Sequence, residues 1–192
     1  INSFDPSDSS RKHHMGTLRK DESIAKDTPD CVNKESETVS MMDYLRKDLE
    51  FEEHVADMFK TQPQLFTIVS RTHDQSLERN ESMAESEKEP DFKIRCVLTN
   101  DVFFVVCKWR AHLLSDNRLE WCYELFLRKC QRYYRRLPVF VVVGLGGEPA
   151  SPDRMFCIPL KEARWNELFP SVYLKHERPP DKKFFWRNGV LS

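Results

Sequence analysis

The chain has 192 residues, enough for one domain with a real core, and its net charge of -1 conceals an uneven distribution. Residues 1–90 carry 12 Lys/Arg against 20 Asp/Glu, whereas residues 91–136 carry 10 against 5, so an acidic front precedes a basic middle. No apolar run approaches the roughly 20 residues of a membrane helix and no signal-peptide core is visible, while six cysteines without a C-x-x-C pair fit a reduced, intracellular, soluble protein, cytoplasmic or nucleoid-associated, with no membrane partner.

Residues 1–39 are polar with isolated hydrophobes and are expected to form a disordered tail, leaving 40–192 as a single domain. The first residue is Ile, consistent with a piece of a longer parent; "HHMG" (13–16) resembles an expression scar, but with only two histidines an ordinary stretch of tail is the reading preferred. Ser40-Met41-Met42-Asp43 matches a capping box and predicts a helix to about Lys60. Its apolar stripe is Met41, Leu45, Leu49, Ala56 and Phe59, with Glu52 in the middle. A carboxylate there either pairs with a cation, lies at the rim of the stripe, or serves a site.

"QLFTIVSR" (64–71) reads as a strand and "DQSLERNESMAESEKE" (74–89) as an acidic surface loop or frayed helix. "DFKIRCVL" and "VFFVVCKW", joined by Thr99-Asn100-Asp101, form a predicted hairpin. A second helix gathers Leu119, Cys122, Tyr123, Phe126, Cys130, Tyr133 and Leu137 on one side and Arg128, Arg132 and Arg135 on the other. "PVFVVVGLGG" is apolar throughout, as a strand covered on both faces should be, and its glycines read as a tight turn, since no Lys-Ser/Thr follows to make a phosphate loop. "RMFCIPL" predicts a further strand and "KEARWNEL" a short helix. The order α-β-β-β-α-β, plus a C-terminal strand and short helix, predicts an α/β fold with a central mixed sheet flanked by helices.

Phosphodiester hydrolysis commonly relies on a hard divalent cation held by carboxylates and on a lysine near the developing charge. Asp91 and Lys108 can meet across the predicted hairpin. On these residues, on Pro90-Asp91, on Val106-Cys107-Lys108, on "FEEHV" (51–55) and on the element order, residues 41–160 resemble the PD-(D/E)xK nuclease superfamily with its restriction-endonuclease-like core. The resemblance implies an endonuclease, a hydrolase dependent on Mg²⁺ or Mn²⁺. Asp91 and Glu52 would be metal ligands, and Lys108 would join them as the catalytic lysine. Val106 departs from the pattern: residues i and i+2 of a strand share a face, so an isopropyl group stands where a second carboxylate belongs. Activity is therefore expected to be impaired, with Glu52 the best replacement and Glu120 and Glu124 poorer ones.

The alternative is a pseudoenzyme: an inactive module of this fold that binds nucleic acid or a protein. DNA is the expected partner, through Arg128, Arg132, Arg135, Lys182 and Lys183, with Phe184, Phe185 and Trp186 as stacking platforms; an ordinary solvated surface accounts for the same residues. A homodimer is equally compatible with the sequence.

Overall fold

The computed structural model describes residues 32–72 and 90–192, with side chains from Asp43 onward. Residues 1–31 of the expected tail 1–39 and the acidic segment 74–89 lie outside the described residues, and residues 32–39 are helical. Helix α1 runs Val32–Lys60. Ser40 is thus inside the helix, and the capping-box reading does not hold. The side chains that α1 buries are Phe51, Val55, Ala56 and Phe59 together with Glu52, one residue round from the predicted stripe for Phe51 and Val55.

Strands β1 (Phe66–Arg71), β2 (Phe92–Cys96), β3 (Val102–Arg110), β5 (Val139–Leu145), β6 (Arg154–Pro159) and β8 (Glu177–Arg178) form one sheet in the order β1-β2-β3-β5-β6-β8. Only β3 and β5 run parallel, as the crossover through helix α2 (Glu124–Tyr134) requires; every other pairing is antiparallel. The protein is therefore α/β with a mixed central sheet.

Side-chain alternation divides the core into two layers. Phe103, Val105, Cys107 and Trp109 face α1, joining Phe51, Val55, Phe59, Phe92 and Ile94. Phe104 and Val106 face α2, joining Phe126, Leu127, Cys130, Val141 and Val143. All seven residues of β5 are buried, which explains their uniform apolarity. Gly144 is demanded by this packing, because a Cβ there would sit 2.6 Å from Cε2 of Phe51. Gly146 (φ +70°) and Gly147 (φ +58°) then make the turn that the sequence indicated.

"KEARWNEL" is not a helix. Leu119–Glu120 (β4) pairs with Glu167–Leu168 (β7), and Trp121 N–H donates to the Asn166 carbonyl, which holds the segment extended. The short helix follows as α3 (Pro170–Tyr173). A C-terminal hairpin, β9 (Trp186–Arg187) and β10 (Val190–Leu191), packs on the α1 layer: Trp186 stacks on Phe103 and Phe184 on Phe59. Among the described residues no helix is long and apolar enough to cross a membrane.

A candidate charged centre at the open edge of β3

Strand β2 pairs with β3 only as far as Phe92↔Val105, whereas β3 continues beside β5 to Arg110. The upper half of β3 therefore has a neighbour on one edge only, and its backbone N–H groups on the other edge need acceptors. Two aspartates supply them. Asp91 Oδ2 accepts from Cys107 N–H at 2.6 Å, and Asp48 Oδ1, arriving from α1, accepts from Trp109 N–H at 2.7 Å.

Cations from two strands and a helix gather round these carboxylates. Lys108 Nζ lies 2.9 Å from Asp48 Oδ2, and the Arg110 guanidinium lies 3.3 Å from Asp48 Oδ1. Arg71, at the end of β1, donates from Nε to Glu52 at 2.7 Å and from Nη1 to Glu53. Lys129 of α2 is buried, and its charge acts on Asp91. The ring of Phe126 lies beneath both lysines, 5.1 Å from Lys108 Nζ and 5.9 Å from Lys129 Nζ. Asp48, Glu52 and Asp91 thus share the space between the two helices, at the end of β3, with Arg71, Lys108, Arg110 and Lys129.

For Glu52 and Asp91, burial penalises the charged carboxylate more than the nearby cations favour it. Glu52 is pushed up to about 7, first by burial and then by the nearby charge of Asp91, against the pull of Arg71 and Lys108. Asp91 is pushed up to about 6 by burial, opposed mainly by Lys108 and the Cys107 N–H. Burial works against the Lys108 ammonium, yet Asp48 and Asp91 outweigh it and hold the lysine above its ordinary value. Burial also raises the Cys107 thiol well above its usual range. With Cys96, Cys122, Cys130 and Cys157, it is a free, buried side chain that acts as a small hydrophobe.

The structure brings the three sequence-predicted residues Asp91, Lys108 and Glu52 into one electrostatic cluster. It also adds Asp48, Arg71, Arg110 and Lys129, which sequence reasoning missed. One signal could have found Asp48: it stands four residues before Glu52, so a helix carries both on the same face. Val106 is fully buried in the α2-side core, paired with Val141 on β5.

As arranged, these donors do not fit a divalent cation. Both Asp48 oxygens and one oxygen each of Glu52 and Asp91 already accept hydrogen bonds, three of them from side-chain cations, so the third carboxylate of the centre, Asp48, has no free oxygen to offer beside Glu52 and Asp91. Among the described residues no group of three or more His, Cys, Asp or Glu is placed to hold a metal ion. Glu120 and Glu124 do not supply one, since both are exposed and Glu124 pairs with Arg128.

The expected nucleic-acid residues fall on two sides of the sheet. Arg128, Arg132 and Arg135 are exposed on α2 and its C-terminal end; Arg128 is paired with Glu124, while Arg132 and Arg135 form no ion pair among the described residues. Because Phe92 and Ile94 face α1, Lys93 and Arg95 of β2 face the α2 side, and Lys93 Nζ stands 6.0 Å from the Phe104 ring that touches Tyr133. These two cations extend the basic surface and were not predicted. Lys182 and Lys183 are exposed, but their neighbour Phe184 packs on α1, at the opposite layer. Of the three aromatics expected to stack on bases, Phe184 is core, Trp186 is engaged by Phe103 and Asp101, and only Phe185 is exposed.

Compared with protein-family models, with curated proteins and with solved structures, the chain finds no match in any of the three.

Proposed function

We propose that this is a restriction-endonuclease-like domain that binds DNA through its α2 side and does not cleave it. The fold reading draws support from the element order, from a parallel β3–β5 pair flanked by antiparallel strands, and from the charge of Lys108 acting on Asp91 where β2 and β3 part. The loss of cleavage is carried by one observation: every acid of the centre is engaged by the chain's own donors, while Val106 fills the second carboxylate position with packed hydrocarbon. DNA as partner follows from Lys93, Arg95, Arg132 and Arg135 on one side of the sheet, in a domain where Glu52 and Asp48 at the centre are paired internally.

The rival reading is metal-dependent phosphodiester hydrolysis by Asp91, Glu52 and Lys108 with Mg²⁺ or Mn²⁺. It is favoured by the repulsion between Glu52 and Asp91, which a bound cation would relieve. Two measurements separate the readings. Binding of a labelled duplex should weaken with salt, with EDTA making no difference. Arg132→Ala and Arg135→Ala each remove one phosphate-binding cation, so each should make the slope of log K against log[salt] shallower by about 0.9. Calorimetric titration with Mn²⁺ should reveal no site. Stoichiometric Mn²⁺ binding that disappears in Asp91→Asn would favour the enzyme, and a failure to bind DNA at low salt would favour a protein partner.

A further inference from the structure

A second feature lies at the other end of the sheet. Helix α2 stops at Tyr134, its last turn closed by Arg136 N–H and Leu137 N–H donating to the Tyr133 carbonyl, and the chain enters β5 through Pro138. The end of β6 and the Gly189 turn of the C-terminal hairpin come up to the same place, enclosing an open cleft of about 360 Å³. Its floor is apolar, with Leu137, Pro138 and Pro159, and its rim carries Tyr134, Arg136 and Lys161. Its size falls within the roughly 300–1,000 Å³ of ligand pockets.

Three observations indicate what the cleft accepts. Tyr134 is 42% exposed, an aromatic face left uncovered beside an apolar floor. Arg136 is exposed beside it, and neither Arg136 nor Lys161 forms an ion pair among the described residues, so their charge is available to an anion. The cations continue out of the cleft along α2 through Arg135 and Arg132. An aromatic platform beside a track of cations is the combination that holds unpaired bases and their phosphates. A duplex offers no exposed base face to such a seat. The cleft is also distinct from the charged centre: Val139, which lines it, pairs with Phe104, four residues and about 13 Å along β3 from Lys108.

We infer that this cleft seats an unpaired base of a single-stranded nucleic acid on Tyr134, with the adjoining phosphates on Arg136 and Lys161. The inference rests on the nucleic-acid-binding reading and specifies the strand class it serves.

Fluorescence anisotropy with a labelled short oligothymidylate tests it, with the same strand in a duplex as comparison. The single strand should bind more tightly than the duplex. Tyr134→Ala should weaken single-strand binding by about tenfold, within the range of base–aromatic stacking, and leave the salt slope unchanged, whereas Tyr134→Phe retains affinity. Arg136→Ala and Lys161→Ala should each make the slope shallower by about 0.7. All three side chains are at the surface, and an unshifted thermal melt confirms that the variants fold. Unchanged single-strand affinity in Tyr134→Ala, with Arg132→Ala and Arg135→Ala still weakening binding, overturns the cleft proposal and leaves the surface reading standing. Competition by thymidine monophosphate as strong, mole for mole, as that of the oligonucleotide overturns it in favour of a free nucleotide. Binding of neither strand form removes both readings.

Discussion

Glu52 and Asp48 lie one helical turn apart on α1 and play different parts. Glu52 is buried with Asp91 nearby and is raised to about 7. A carboxyl raised in the folded state holds its proton more tightly there than in the unfolded chain. Its contribution to stability is therefore complete below the ordinary carboxylate range and is lost as pH rises through about 7. At about 1.36 kcal/mol per pKa unit the loss is at most about 3 kcal/mol, and Asp91 adds to it in the same direction as pH rises through about 6. Urea denaturation should show wild-type stability falling between about pH 5 and about pH 8, and a flatter profile in Glu52→Gln, whose amide oxygen still accepts from Arg71. Asp48 instead holds Lys108, Arg110 and the Trp109 N–H at once. Asp48→Ala leaves a buried ammonium and a strand-edge N–H without that acceptor, and should cost about 3 kcal/mol throughout that pH range, with Asp48→Asn milder. Val106→Glu would put a carboxylate among Phe126, Val141 and Val143; it should destabilise by several kcal/mol, so restoring the residue type does not restore a site.

At the scale of elements, the five long strands β1, β2, β3, β5 and β6 were legible because each carried its own signal, whereas the two-residue strands were not, and Leu119, expected on the second helix, lies in β4. The alternation in "FKIRC", the turn residues 99–101 and the two-sided apolarity of "VFVVVGL" each reflect local burial on one or both faces. What stayed hidden depends on partners distant in sequence. "KEARWNEL" looks helical in isolation, yet Asn166, Glu167 and Leu168 pair with residues 119–121, far earlier in the chain, and that pairing overrides propensity. Likewise Asp91, Lys108 and Glu52 could be picked out by type and position, whereas Arg71, Arg110 and Lys129 resembled ordinary solvated charges until the fold brought their elements together. Gly144 is another tertiary demand: its Cβ position is filled by the Phe51 ring of α1. Gly144→Ala should destabilise by about 2 kcal/mol through overpacking, and Phe51→Leu in that background should recover part of the deficit, measured by chemical denaturation as a double-mutant cycle.

Across the whole molecule, the sheet separates two chemical surfaces. The α2 side carries cations on β2 and α2; the α1 side uses the C-terminal aromatics as core, leaving Lys182 and Lys183 on a face of their own. The charged centre sits between the helices, with Glu52 paired to Arg71 and Asp48 to Lys108 and Arg110. Charge reversal on the α2 side, for example Arg132→Glu with Arg135→Glu, should abolish DNA binding without shifting the thermal melt, whereas Lys182→Glu with Lys183→Glu should leave binding within about twofold. The central claim, binding without cleavage, is tested most directly by incubating supercoiled plasmid with the protein at concentrations that retard it on a gel, in Mg²⁺ or Mn²⁺, alongside Asp91→Asn and Lys108→Met. The plasmid should be retarded by the wild type and remain supercoiled in every lane. Metal-dependent nicking by the wild type that both variants abolish would contradict it.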